Sequence, residues 1–98
     1  MPVLELPLAG HPGYGVIVLR DSAVVLQRQL ALAMAQWRLT PRQTVILGHL
    51  AEGLANKEIA AKLDCAEATV EQHLTVIYRK ARAHGRTGTL ALLWELAG

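Results

Sequence analysis

A break at Asp64-Cys65 constrains the fold of this chain most strongly, because it separates two segments whose apolar residues recur with helical spacing. Before the break, Ile59 and Leu63 lie four residues apart and therefore share one helix face. After it, Glu67-Ala68-Thr69-Val70 opens a helix that we expect to run to about Arg82. Two helices joined by so short a turn are typical of the helix-turn-helix motif.

Capping signals predict further helices on either side of this turn. Thr40-Pro41 indicates a helix start, since Thr can accept hydrogen bonds from first-turn amides and Pro lacks an amide hydrogen where none is needed. Gly53 suits the left-handed residue that ends a helix, and Asn56 is the predicted cap of the next helix. The apolar face of the helix that begins at Pro41 is predicted to contain Val45, Ile46, His49 and Leu50. A last helix is expected from Thr87 to Leu96, with its core residues at Leu90, Leu93, Trp94 and Leu96.

The N-terminal segment has a different pattern. Tyr14 to Arg20 is rich in β-branched residues and follows Gly and Pro, which predicts one short strand, with Val3 to Leu8 as its candidate partner. Asp21 or Ser22 is then expected to cap a connecting helix from about Ala23 to Arg38. Its apolar face comprises Leu26, Leu30, Ala33, Met34 and Trp37. A lone strand and helix bury little surface, so we expect part of this face to meet a second subunit or another domain.

The composition agrees with a mostly α fold. The chain has 98 residues, of which 52% are hydrophobic, and it contains no Phe, which favours packed helices over sheets rich in aromatic residues. The predicted organisation is an N-terminal segment over residues 1–38, with a short β segment and a long connecting helix, followed by a four-helix domain over residues 39–98.

Several classes of protein are not expected. A single Cys65 and the lack of a Cys/His cluster with metal-ligand spacing predict a cytosolic protein without metal or cofactor. The first ten residues contain no Lys or Arg, and the aliphatic runs are short, so neither a signal peptide nor a membrane span is predicted. No nucleophile paired with a base and no carboxylate pair appears, which argues against an enzyme.

The helix after the break has two distinct faces. Val70, Leu74, Ile77 and Ala81 lie on one side of a helical wheel, which we predict to be buried. The opposite side is mostly polar and carries Ala68, Glu71, Gln72, Thr75, Arg79 and Arg82. Such a face is either solvated or suited to a DNA major groove, which admits one helix and displays base edges that Gln, Thr and Glu can recognise.

Basic residues cluster at the end of this helix. Arg79, Lys80, Arg82, His84 and Arg86 follow one another, and no acidic residue lies between Gln72 and Trp94. Cations in this place can neutralise DNA phosphates on either side of a groove. The helix-turn-helix spacing favours DNA binding by these cations over an interpretation in which they are merely solvated.

Four sequence blocks closely resemble the LuxR-type helix-turn-helix family over residues 39–96. They are Leu39-Thr40-Pro41-Arg42-Gln43, Gly53-Leu54-Ala55-Asn56-Lys57-Glu58-Ile59-Ala60, Thr69-Val70-Glu71-Gln72-His73 and Ile77-Tyr78-Arg79-Lys80, with Arg86 after them. The resemblance implies a four-helix domain that binds double-stranded DNA, usually as a homodimer, in response regulators and related transcription factors. It also implies that residues 66–82 form the recognition helix and that the fourth helix of the domain forms the dimer.

The resemblance assigns roles to individual positions. It implies base contacts from Glu71, Gln72 and Thr75, and phosphate contacts from Lys57, Thr69, Lys80 and Arg86. The basic cluster adds Arg79 and Arg82 to the predicted phosphate contacts.

Two residues depart from the family pattern. Glu71 stands where the family commonly has Lys, and phosphates repel a carboxylate unless it accepts a hydrogen bond from a cytosine amino group. Ala66 stands where the family favours Ser as a helix cap, which leaves one amide without its partner.

The sequence therefore leaves a leading function and two alternatives. The leading hypothesis is a sequence-specific transcriptional regulator that binds an inverted repeat as a dimer, through the fourth helix of the domain, the apolar N-terminal segment or both. One alternative is a protein-interaction module of the same fold, with weak or no DNA binding because of Glu71. The other is a promoter-binding domain like that of a sigma factor, which His73 and Lys80 fit less well.

Overall fold

The computed structural model describes the backbone of residues 13–98 and the side chains of residues 22–98. Five helices follow one another in this part of the chain: α1 (Gly13–Gln36), α2 (Pro41–Ala51), α3 (Asn56–Leu63), α4 (Glu67–Ala81) and α5 (Arg86–Glu95). No strand occurs between residues 13 and 98. The predicted mostly α class is confirmed, whereas the division into segments at residue 38 stays a prediction.

The strand predicted for residues 14–20 is wrong, because this run belongs to α1. A lone strand leaves its backbone amides and carbonyls unpaired, whereas a helix pairs them within the segment. A helix that has already formed over the following Ala- and Leu-rich residues extends at little cost, since each added residue gains one hydrogen bond. The caps predicted at Asp21 and Ser22 are wrong for the same reason, since α1 continues through both residues. The strand partner expected at residues 3–8 lies outside the described residues.

Helix α1 packs against α2 and α5. Ala33 is fully buried, and Leu26, Leu30 and Trp37 cover the core, as their spacing predicted. Met34, placed on the same face by the sequence, is exposed. A buried Gln29 makes the contact with α5 specific, because its Nε2 donates to the carbonyl oxygens of Leu93 at 2.8 Å and Leu96 at 3.0 Å.

The core lies around α2 and α4, which pack against each other; α3 and α5 pack against both, and α1 packs against α2 and α5. Its fully buried large residues are Ile46, Leu47, Leu50, Ile59, Val70, Ile77 and Leu93. In α2 the buried positions are 43, 46, 47 and 50, which is the i, i+3, i+4, i+7 pattern of a helix face. This pattern excludes Val45, which is 47% exposed and not buried as predicted.

The first four helices end in the same way. A residue with positive φ follows each of them: Arg38 (56°), Gly53 (91°), Asp64 (53°) and Arg82 (59°). The amide of the next residue then donates to a carbonyl five positions earlier: Leu39 to Met34 (3.1 Å), Leu54 to His49 (3.2 Å), Cys65 to Ala60 (3.0 Å) and Ala83 to Tyr78 (2.9 Å). This bond, with a left-handed residue before it, is the Schellman motif. The stop predicted at Gly53 is confirmed. Cys65 is the apolar residue that follows the stop of α3.

The starts of α2, α3 and α4 differ in how many capping hydrogen bonds they have. Before α2, the amide of Gln43 donates to Thr40 Oγ1 at 3.1 Å, and the amide of Thr40 donates to Gln43 Oε1 at 3.0 Å, which forms a complete capping box. Before α3, the cap position is Ala55 and not Asn56 as predicted. Ala55 has only half of the box, in which its amide donates to Glu58 Oε1 at 2.7 Å. Ala66, before α4, offers no side-chain cap.

None of the described helices combines the length and the apolar character that crossing a membrane requires.

The uncapped start of α4 predicts the effect of Ala66→Ser. A serine hydroxyl at an extended N-cap accepts a hydrogen bond from a first-turn amide, so the free energy of unfolding should rise by about 1 kcal/mol. Urea unfolding followed by circular dichroism measures this change. Ala91→Ser is the control, because Ala91 is exposed inside α5 and Ser there should lower the free energy by about 0.5 kcal/mol. Equal effects of the two substitutions would contradict the capping argument.

Candidate nucleic-acid interface

Helix α4 presents a polar face outside the core. Val70, Leu74, Ile77 and Ala81 are buried, as predicted, and they hold the helix against α2, α3 and α5. The residues on the opposite side, Ala68, Glu71, Gln72, Thr75, Arg79 and Arg82, are all exposed. The sequence-predicted base-contacting residues therefore share one accessible surface, which we call the α4 face and define by these six residues.

The turn between α3 and α4 sets the direction of the α4 face. Asp64 adopts a left-handed conformation, and its neighbour Cys65 is half-buried. Ile59 and Ala60 of α3 are buried next to the core residues of α4. The stop of α3 and its apolar contacts thus fix how α4 leaves the turn.

The three predicted base-contacting side chains of the α4 face differ in their hydrogen bonding. Thr75 Oγ1 donates to the backbone oxygen of Glu71 at 3.0 Å, so the hydroxyl proton of Thr75 is used within the helix. The oxygen and the methyl group of Thr75 remain available to a ligand. Among the described residues, neither Glu71 nor Gln72 has a side-chain hydrogen bond or ion pair.

Lys57 and Thr69 lie near the starts of α3 and α4. Lys57 is the second residue of α3 and is exposed, whereas Thr69 is the third residue of α4 and is half-buried. Helix starts present unpaired amides and a positive dipole end, which attract anions. Both residues therefore lie in the first turn of a helix, beside Glu58 and Glu67 respectively.

Lys80 makes internal bonds that the sequence did not predict. Its Nζ donates to the backbone oxygen of Arg38 at 2.9 Å and to Gln43 Oε1 at 2.9 Å. Arg38 ends α1 and Gln43 belongs to the capping box of α2, so this ammonium group joins three helices. Both acceptors are neutral, so the positive charge of Lys80 is not compensated by them.

Arg86 is also held inside the domain. Its Nη2 donates to the backbone oxygen of Leu54 at 3.1 Å and to Asn56 Oδ1 at 3.4 Å. It therefore ties the start of α5 to the start of α3.

Burial raises the pKa of Tyr78 above its ordinary value, and the nearby charge of Arg86 partly opposes that rise.

Arg79 and Arg82 complete the basic cluster. Both are exposed, and neither has a side-chain hydrogen bond to another described residue. Arg82 adopts the left-handed conformation directly after α4. The structure thus leaves these two arginines accessible, whereas Lys80 and Arg86 already have partners.

The sequence did not predict the internal partners of Lys80 and Arg86. They are backbone oxygens and amide side chains 30 to 42 positions away, and no charge pattern marks a neutral acceptor. Among the described residues, no group of three His, Cys, Asp or Glu side chains is placed to hold a metal ion.

The comparisons with known proteins agree on one family. The family model described as "Bacterial regulatory proteins, luxR family" matches residues 38–93. The chain is 40% identical over 57 residues to a nitrate/nitrite response regulator protein homolog of Haemophilus influenzae, which covers 58% of this chain and 27% of that protein. It is 37% identical over 98 residues to the nitrate/nitrite response regulator protein NarP of Escherichia coli, which covers 98% of this chain and 46% of that protein.

A third relative is the nitrate/nitrite response regulator protein NarL of Escherichia coli. It is 43% identical over 49 residues, which is 50% of this chain and 23% of that protein. The chain thus spans less than half the length of these three relatives. No solved structure matches the chain.

The bonds of Lys80 predict the effect of Lys80→Met, which keeps the aliphatic stem and removes the ammonium group. The carbonyl of Arg38 and Gln43 Oε1 each lose a charged donor, so the free energy of unfolding should fall by about 1 to 2 kcal/mol. Chemical denaturation measures it. The neighbouring Arg79→Met is the control and should stay within about 0.5 kcal/mol, because Arg79 is exposed. A Lys80→Met chain as stable as the original would show that these bonds do not hold the helices together.

Proposed function

Because the chain belongs to the luxR family of bacterial regulatory proteins, we propose that it binds double-stranded DNA and regulates transcription. One observation carries this proposal: the exposed side of α4 is polar, whereas its other side is buried in the core. A major groove is wide enough for one helix and displays donors and acceptors on base edges. In this proposal α4 lies in the groove, with Glu71, Gln72 and Thr75 facing the bases.

Phosphate contacts surround this helix in the proposal. Lys57 and Thr69 contact one strand near the helix starts, and Arg79 and Arg82 contact the backbone near the end of α4. Lys80 and Arg86 can contribute as well, because an ammonium group has three N–H donors and a guanidinium group has five. Each uses two hydrogen bonds internally, so each retains free donors for a phosphate.

The place of the chain in a larger regulator follows from its relatives. The three relatives described above carry the name response regulator, and this chain corresponds to a minor part of each. We therefore extend the proposal to a response-regulator output domain over residues 39–98, with residues 1–38 as its connecting segment.

The proposed DNA complex contains two copies of the chain. Trp94 on α5 is 48% exposed, so the prediction that it belongs to the core is wrong. Large aromatic residues are enriched at the centres of protein interfaces. Val24 and Val25 of α1 are exposed as well, which gives a second apolar surface for association. A two-fold dimer would match an inverted repeat with half-sites about one helical turn apart.

Selection from a library of genomic fragments tests the proposal directly. The chain should retain specific fragments at about 50 mM salt, and this binding should weaken steeply as salt rises. Absence of any specific complex under these conditions would reject DNA binding. It would favour the second candidate function, a protein-interaction module, which the carboxylate of Glu71 on the α4 face supports.

Lys57→Ala should weaken binding to all duplex sequences alike, because a phosphate contact carries no sequence information. The slope of log K against log salt should decrease in magnitude by about 0.9. Fluorescence anisotropy at several salt concentrations measures it. Lys62→Ala is the matched control on the same helix: Lys62 is also exposed, lies outside the proposed contacts, and should leave the slope unchanged. An unchanged slope for Lys57→Ala would refute its assignment to phosphate.

Trp94→Ala should weaken self-association, because the indole supplies the largest exposed apolar surface of α5. We expect the dimer dissociation constant to rise at least about tenfold, as for truncation of a central aromatic residue. Sedimentation velocity over a concentration series measures this. Val45→Ala is the matched control, since Val45 on α2 is 47% exposed and should not change association. Equal behaviour of the two variants would exclude α5 as the dimer surface.

A further inference from the structure

Glu71 is an isolated carboxylate on the α4 face. It is exposed, and no described residue donates a hydrogen bond to its side chain or pairs with its charge. Neighbours on a helix surface stand three and four positions away. For Glu71 these are Glu67, Ala68, Leu74 and Thr75, none of which is a cation. The helix that carries this charge therefore does not neutralise it.

The chemistry of a carboxylate restricts what it can meet in a major groove. An ionised carboxylate only accepts hydrogen bonds. The groove edges of guanine present only acceptors, and thymine presents an acceptor and a methyl group. Adenine offers its 6-amino group, but the acceptor N7 lies beside it and repels a carboxylate. Cytosine offers its 4-amino group with no acceptor on its groove edge.

From this geometry we infer that Glu71 selects a C·G base pair by accepting a hydrogen bond from the 4-amino group of cytosine. The inference rests on the proposed function, since it needs α4 in the groove. Phosphates repel Glu71 at every DNA site. At a cytosine the hydrogen bond offsets this repulsion, whereas at any other base the repulsion is not offset. Glu71 then contributes more to specificity than to affinity.

The neighbouring side chains fit this role less well, because both are neutral. Thr75 already donates its hydroxyl proton to the backbone oxygen of Glu71, so it presents only an acceptor and a methyl group to the DNA. Gln72 has both donors and an acceptor, which suit the N6 and N7 pair of adenine. Glu71 is therefore the one charged acceptor among the three proposed base-contacting residues, and a charged acceptor makes the stronger hydrogen bond to an amino group.

The experiment compares three chains in selection from a randomised duplex library: the original, Glu71→Ala and Glu67→Ala. Glu67 is the matched control, because it is an exposed carboxylate one turn earlier on α4. The original and Glu67→Ala should select one invariant cytosine per half-site, and Glu71→Ala should accept any base there. Circular dichroism checks that all three chains fold alike.

A base analogue then isolates the amino group. In the selected duplex, that cytosine is replaced by 2-pyrimidinone, which lacks only the 4-amino group. Binding of the original chain should weaken about tenfold more than binding of Glu71→Ala. Any general loss of duplex stability affects both chains equally, so the difference reports the hydrogen bond.

Two results would overturn the inference while leaving the proposed function intact. One is a Glu71→Ala chain that still selects the same cytosine, and the other is an equal loss of affinity for both chains on the analogue. If none of the three chains retains any duplex, the proposed function fails and this inference fails with it.

Discussion

The left-handed residue that ends each of the first four helices is the constraint on which the arrangement depends. A helix stops where the backbone reverses its φ, and the apolar residue that follows then turns back toward the core. At Asp64 and Cys65 this reversal takes three residues between α3 and α4, so α4 leaves the turn in a fixed direction. Three of the four reversals use a residue other than Gly, each at a conformational cost of about 1 to 2 kcal/mol at most. The cores of the flanking helices offset that cost, which ties the position of the α4 face to the packing behind it.

Lys80 links this scaffold to the connecting helix. Its ammonium group holds the carbonyl at the end of α1 and the capping glutamine of α2 while it sits on α4. Gln29 ties α1 to the end of α5 in a similar way, through two backbone oxygens. In both cases a side-chain donor bonds a backbone oxygen at a helix end, where carbonyls lack partners further along their own helix. Gln36 of α1 adds a third link, because its Nε2 donates to the backbone oxygen of Ala97 at 3.0 Å. A change in the position of α1 would therefore act on α4 and on the end of α5 directly.

The sequence predicted those parts of the fold that depend on local signals. Helical spacing identified the buried side of α4, and Thr40-Pro41 identified the start of α2, because both are read within a few residues. The failures arose where helix propagation or tertiary packing overrode a local signal. Residues 14–20 have strand-forming composition but join an existing helix, and Trp94 is exposed because α5 turns Leu93 inward. The exposed polar side of α4 was predictable from the sequence, whereas the internal bonds of Lys80 and Arg86 to distant neutral acceptors were not.

The charges of α4 follow its backbone dipole. Glu67 lies in its first turn and Arg79 and Lys80 in its last turn, where each sign stabilises the end at which it stands; Glu71 lies one turn further along. The arrangement also divides the helix by function in the proposed complex. The cations at its end attract phosphates without regard to sequence, while the carboxylates at its start oppose that attraction wherever the bases do not supply a donor. With two charges of each sign, α4 has no net charge of its own, so in the proposed complex the net attraction to phosphates comes from Lys57 and the residues after α4. The two carboxylates then have different roles in the proposed complex: Glu67 stabilises the helix start, and Glu71 selects the base.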